Sequence, residues 1–467
     1  MISSLLFSIA ISLLLGLLVV YGLWPNKGDA LLKICIAGGL GFGLISLILF
    51  FWLLIVGSTY GFPMLEKIVF IPLIIFFLYI VLKKKPLRLR PDSQEDFGKS
   101  KIEKVLSILF PLALFLASLT FVFVSLNEPH GGWDAWAVWN MRARFLLRAE
   151  EVWREAFSPL LAQSSYPLLI PLSIVHGWKN IGYETVVMPV ALAYIFTFSS
   201  ILLTTSSLSI LRGKSQGLLA GLVLLGTAYY IKHGADQYGD IPVGFFFLCT
   251  FVLLALHDGS SSRDYRLLLL AGLAAGFSGW TKNEGLLFLA LIIAVRLFLV
   301  VKGEGCIIAL KQMTIFLLGT LPILLTIVYF KINLSSPLDL IEAQGPKVTF
   351  ERLVDYSRHI EVFRAYLITG IKFTQGLVGL PLLALYFFLV GRKADEKNKM
   401  GIYTVLMTII LMLIGYFFVF VTTPRDLPFE LKYALNRLLL QLWPSFVFFF
   451  FMVVRTPEAA LEKEISI

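Results

Sequence analysis

The chain reads as an all-α polytopic membrane protein, and three observations lead there. Hydrophobic residues fill 58% of its 467 positions and charged residues only 15%, against roughly 25% charged in a soluble domain. Apolar runs near the length needed to cross a bilayer, about 20 residues, recur from one end to the other. Lysine and arginine gather in the short connections between those runs, as expected where basic loops stay on the cytoplasmic side.

Composition also excludes several classes. The net charge of +10 would suit nucleic acid, but its placement in short loops assigns it to helix orientation. Cys35, Cys249 and Cys306 lie in or beside apolar runs, with no spacing for a disulfide framework or a zinc site. Neither a dinucleotide fingerprint nor a P-loop is present. The chain shows no soluble domain, no low-complexity tract and no strong internal repeat.

Three spanning segments come first, at 2–23, 31–56 and 66–83. The first has no basic leader and no clean small-residue cleavage site, and so reads as a retained helix. The most basic loop follows at 83–104, which sets it in the cytoplasm. A fourth helix, 104–126, then delivers the stretch Glu128–Pro171 to the outer face. That stretch carries four arginines and four tryptophans beside acidic side chains, more chemistry than a linker needs. Within it Trp139–Phe157 alternates apolar and charged residues like an interfacial amphipathic helix. Pro167–Trp178 is too short to span and reads as a half-helix covered by protein. The remaining apolar segments are 185–211, 217–231, 241–256, 267–280, 285–301, 310–330, 375–391, 401–421 and 437–454. The expectation is about thirteen transmembrane helices, with the N-terminus outside and the C-terminus inside. The polar segments 331–372 and 422–437 then fall outside as well.

Three ionisable clusters share that expected outer face. Asp134 sits in GGWDAWAVWNMRAR, beside Trp133 and Trp136. The glycines allow close backbone approach, and the tryptophans suit a sugar ring or the membrane interface. A lone loop aspartate is as often an N-cap or a solvated charge. The second cluster, HGADQYGDIP, holds Asp236, Tyr238 and Asp240. The aspartates are spaced i, i+4 and are expected to share a helix face. Capping of the following helix, with Pro242 in its first turn, competes for Asp240. His233 reads as a satisfied interfacial histidine. The third cluster is GWTKNEGLLF, with Lys282 and Glu284 at membrane depth, where ionisable residues are functional candidates by default. A structural Lys–Glu pair is the bland alternative. Arg425, Lys432 and Arg437 in the last outer segment suit a lipid phosphate, with interfacial snorkelling as the competing role.

Taken in order, these features carry a resemblance. An acidic residue follows a spanning helix, and an amphipathic outer loop ends in Tyr166-Pro167. An Asp-x-Pro at Asp240–Pro242 precedes a phenylalanine-rich helix, and a Thr281-Lys282-x-x-Gly285 turn comes next. From about residue 104 to its end the chain resembles the GT-C superfamily of polyprenyl-phosphate-sugar glycosyltransferases. Its pattern is nearest the protein O-mannosyltransferase and lipid A aminoarabinose transferase branch. Residues 1–103 would then be an added three-helix segment and basic loop, and 104–467 the GT-C-like catalytic module, with its outer loop at about 127–184.

The resemblance implies an inverting transfer on the extracytoplasmic face of a bacterial inner membrane. Asp134 would be the base and Asp240 the second carboxylate. Lys282, Arg425 and Arg437 would bind the donor phosphate, and Trp133, Trp136, Tyr166, Asp236, Tyr238 and Glu284 the substrates. The partners implied are a polyprenyl-phosphate-linked sugar, a lipid, glycan or protein acceptor, and membrane lipids, with no nucleic acid. The chain departs from the pattern with Asp-Ala where relatives often have Asp-Glu, and with Lys-Asn-Glu-Gly for Lys-Gly. It has no Asp-x-Asp in the second loop, which leaves a divalent cation such as Mg or Mn open and no metal ligand assigned. Three other classes compete. A glycan polymerase or ligase predicts essential arginines and dispensable Asp134 and Asp240. A lipid-linked sugar flippase or transporter predicts a midplane site between two related halves. An inactive GT-C-like scaffold in an envelope complex predicts no transfer at all.

Overall fold

The computed structural model describes residues 2–24, 30–84, 100–260, 263–336, 345–373, 379–393 and 396–465. All regular secondary structure among them is helical. Ten helices there are long and apolar enough to cross a membrane: α1 (Ile2–Leu23), α2 (Ala30–Val56), α3 (Phe62–Tyr79), α4 (Lys101–Asn127), α5 (Val187–Arg212), α6 (Asp240–Gly259), α7 (Glu284–Glu304), α8 (Cys306–Asn333), α9 (Lys399–Thr422) and α10 (Leu427–Val453). Three further segments expected to span form shorter helices, Lys214–Leu225, Arg266–Thr281 and Leu380–Val390. The central part of the basic loop, 85–99, lies outside the described residues.

Small residues let these helices approach closely, the usual device where lipid removes any hydrophobic drive between helices. Gly16 of α1 and Gly41 of α2 face each other's backbones. A β-carbon on either would come within 1.8 Å of the opposing carbonyl, Ala37 O or Ser12 O. Gly272 of the helix Arg266–Thr281 and Gly319 of α8 do the same, with 2.0 and 2.2 Å of room.

The first helices are not set apart from the rest. Gly39 and Gly43 of α2 receive the rings of Phe245 in α6 and Phe277. Phe50 meets Trp153, Trp280 and Phe330 at 5.3–6.5 Å. Glu66 of α3, fully buried, contacts His176 Nε2 at 2.5 Å and accepts from Asn180 Nδ2 at 2.9 Å. The boundary expected near residue 103 therefore separates no packing unit.

Several segments differ from the expected pattern. The stretch Trp139–Phe157 is two pieces rather than one amphipathic helix: a π turn, Ala135–Trp139, runs directly into Asn140–Arg148, and Glu150–Phe157 follows as a separate 3-10 piece. Glu150 has φ 42° at the last joint, which breaks the helical path. The half-helix after it is present as Leu169–Ile181, ended by Gly182 at φ 93°, and Leu169–Trp178 are buried throughout. The helix expected at 217–231 breaks at Gly226 and Thr227 and resumes as Ala228–Ala235. α10 begins at Leu427, ten residues before the expected start, so Lys432 and Arg437 lie in a helix and not in a loop.

The described part of 331–372 does not lie over one surface. Its helix Tyr356–Lys372 runs back along α9. Arg358 donates to the carbonyl of Val421 at 2.6 Å near the α9 terminus, and the Tyr366 hydroxyl donates to Leu413 at 3.3 Å, further down. Phe373 then meets Trp443 at 5.2 Å and Tyr229 at 6.4 Å.

Candidate functional site

The site forms where several helix ends meet inside the protein. The helix Arg266–Thr281 has 16 residues and so covers about 24 Å, less than the roughly 30 Å of the hydrocarbon layer. Lys282 follows it directly and is buried. α6 starts at Asp240, and Pro242 occupies its first turn, where a missing N–H costs nothing. Arg437 lies ten residues into α10, about 15 Å from its start, and so meets both.

These side chains make one network. Asp240, fully buried, accepts from Lys282 Nζ at 2.9 Å and Gln441 Nε2 at 2.7 Å through Oδ1. Its Oδ2 accepts from Arg437 Nε at 3.1 Å and meets Arg437 Nη2 at 3.0 Å and His233 Nε2 at 3.3 Å. Arg437 Nη2 also donates to Asp134 Oδ2. Lys282 bridges on to Glu284 at 2.8 Å. The Tyr416 hydroxyl donates to Gln441 Oε1 at 2.9 Å, which orients that amide toward Asp240. Carboxylates from two separate helix starts are thus joined through a single guanidinium, with a second cation also bound to Asp240.

The aromatic residues form the walls. Tyr166 stacks on the buried Trp139 at 5.4 Å and 9°, and Lys282 Nζ lies 5.5 Å from the Tyr166 ring centre. Burial pushes the Tyr166 hydroxyl above its ordinary range, so it stays a donor at physiological pH. Tyr238 places its ring 4.6 Å from the Arg437 guanidinium and 4.8 Å from His233. Arg142 is buried and donates to the carbonyls of Tyr166 at 2.9 Å and Gln163 at 2.5 Å. It ties the loop that presents Tyr166 to the helix behind it. Burial lowers that guanidinium to about 10, still protonated at neutral pH.

The loop bearing Asp134 is pinned to the second cluster. Gly132 N donates to the Asp236 carbonyl at 3.0 Å, and Gln237 Nε2 donates to Pro129 O at 3.1 Å. Gly131, at φ 71°, has 2.6 Å between its missing β-carbon and Asp236 O. Only glycine fits that contact, in conformation and in space.

Several expectations are corrected here. Asp236 and Asp240 share no helix face, because the helix ends at Ala235 and Gln237 turns at φ 59° before the next begins. They converge instead on His233, whose Nδ1 lies 3.6 Å from Asp236. Burial raises the Asp236 carboxyl above the usual aspartate range. Asp240 caps no helix: Gly239 holds that position without a side-chain bond. Asp134 makes no capping bond either. Arg425 pairs with Glu430 at 3.1 Å at the head of α10, twelve residues before Arg437, and is not brought into the network. Trp133 and Trp136 stand half exposed at its rim, rings 6.0 Å apart.

Sequence reasoning passed over Gln441 and Tyr416 and demoted His233. The first two sit in strongly apolar spans, where a lone polar residue is itself a signal. Among the described residues no three His, Cys, Asp or Glu side chains are grouped to hold a metal ion. Asp240 and Glu284 are both committed to Lys282. The chain matches no family model, no curated protein and no solved structure.

Proposed function

We propose that this chain is an integral-membrane glycosyltransferase that moves a sugar from a polyprenyl-phosphate donor to an acceptor hydroxyl at the extracytoplasmic face, with Asp134 as base. One observation carries the reading: Asp134 and Asp240 meet on Arg437, beside Lys282, at one end of the bundle. Carboxylates on unconnected surfaces would have removed it.

The chemistry follows from that arrangement. The donor phosphate approaches Arg437 and Lys282, which offset the charge that builds on it as it leaves. It competes with Asp134 for Arg437, and that exchange frees the carboxylate. Asp134 then takes the acceptor's hydroxyl proton as the acceptor oxygen bonds to the anomeric carbon. The anomeric carbon–phosphate oxygen bond breaks, its electron pair departs with the polyprenyl phosphate, and the configuration inverts. Asp240 holds both cations in place throughout.

Transfer from a radiolabelled polyprenyl-phosphate sugar in membranes tests this. Asp134→Asn is expected to slow transfer roughly 100- to 10,000-fold, the range for loss of a general base, with folding retained. Undiminished transfer by that variant would remove the base assignment. If Arg437 alone proved essential, with Asp134 and Asp240 dispensable, a glycan polymerase or ligase would be the better reading.

A further inference from the structure

Beside the carboxylate network lies an open depression of about 500 Å³, lined by Glu128, Pro129, His130, Gly131 and Trp136. We infer that it is an acceptor subsite for a saccharide unit, which makes the acceptor of the proposed reaction a glycan or glycolipid headgroup. The inference rests on the transferase reading for the word acceptor; saccharide binding itself does not.

Three observations support it. The volume lies within the roughly 300–1,000 Å³ of small-molecule sites. The lining offers one flat aromatic face, one carboxylate and one imidazole, with the Pro129 ring as its one aliphatic side chain. A pyranose uses all three: its C–H face stacks on the indole, and its hydroxyls bond to Glu128 and His130. A lipid tail would find only the short Pro129 ring as aliphatic wall, and a phosphate would meet Glu128. Finally, the wall is held before any ligand arrives. Gly132 and Pro129 are hydrogen-bonded to the turn at Asp236 and Gln237, and Trp136 projects from the helical piece Ala135–Trp139, which is anchored by the buried Trp139. A rigid platform loses little freedom on binding.

Position favours the same role. Asp134 lies in the turn between Gly131 and Trp136, both of which line the depression, so one short turn carries both the wall of the depression and the proposed base. Interfacial anchoring accounts for an exposed tryptophan against lipid, but not for one that shares a depression with Glu128 and His130.

The test uses the full-length protein in nanodiscs with lipid-free methyl glycosides and disaccharides of glucose, galactose, mannose and N-acetylglucosamine. Saturation-transfer NMR and tryptophan fluorescence report binding. At least one saccharide is expected to bind, and Trp136→Ala to weaken it about tenfold, the worth of one stacked ring. Trp136→Tyr should restore most of it, and thermal unfolding should show that both variants fold. Asp134→Asn should bind saccharide normally while losing transfer. The subsite falls if no saccharide binds the wild type, or if folded Trp136→Ala binds as the wild type does. It also falls if transfer goes to a peptide or plain lipid at a rate Trp136→Ala leaves unchanged; the transferase reading would survive that result. Normal transfer by Asp134→Asn with intact saccharide binding would do the reverse.

Discussion

Asp240 is the residue on which the site depends most. It is fully buried, and Lys282, Arg437, Gln441 and His233 all converge on it. Removing it leaves the buried Lys282 with Glu284 alone and the part-buried Arg437 with Asp134 alone, and breaking a buried pair costs about 3–5 kcal/mol. Asp240→Ala is therefore expected to unfold at clearly lower temperature in detergent, as well as to lose activity. A melting temperature equal to that of the wild type would show that the network contributes nothing to stability. Asp236 works in the opposite sense. Burial raises its carboxyl in the folded protein, so its neutral form favours folding. That contribution is complete below the unfolded value of about 3.9 and lost as pH rises through the folded one. Asp236→Asn, neutral throughout, should be more stable than the wild type at pH 7, with the gap closing as pH falls toward 4. A gap that widens on acidification would contradict this. Both aspartates, with Asp134, Lys282 and Arg437, could be named from sequence because charge in an otherwise apolar chain stands out. Their pairing could not, because Asp134 and Arg437 are 303 positions apart and meet only through the fold.

At the level of the helix, length and interruption decide where charges sit. A 16-residue helix strands Lys282 below the surface, and an early start to α10 draws Arg437 down to it. Sequence periodicity found the helices but misjudged their ends, since apolar residues on all sides of a lipid-embedded helix erase the pattern that marks a boundary. The break at Gly226–Thr227 went unseen for the same reason. Helix contacts rest on glycine. A side chain at Gly41 would strike Ser12 O, 1.8 Å from the β-carbon. Gly41→Leu should push α1 off α2 and lower stability by about 1–3 kcal/mol, as overpacking does. Gly22 has nothing within 4 Å of its β-carbon position and serves as the control. Equal melting temperatures for Gly41→Leu and Gly22→Leu would refute close packing of this pair.

Across the whole molecule, the network gathers at one end of the bundle and a second buried polar group at the other. Arg296 of α7 donates to both oxygens of Asp258 at 2.7 and 3.0 Å and to Gln312 Oε1 at 3.1 Å. The basic loops predict the sidedness, and single cysteines test it. A cysteine at Trp133 should react with an impermeant maleimide in intact cells, and one at Lys214 only after the membrane is opened. The reverse result would invert the proposed topology. By itself the sequence determined that this is a helical membrane protein, roughly where its helices lie, and which charged residues are anomalous, because hydropathy and local charge are properties of short segments. Only the tertiary structure decided that α2 belongs to the core, that Asp134 and Asp240 share Arg437, and that Gln441 and Tyr416 complete the site. Those facts depend on which distant helices touch, and in lipid that choice is made by glycine contacts and buried polar pairs that leave no periodic trace in the chain.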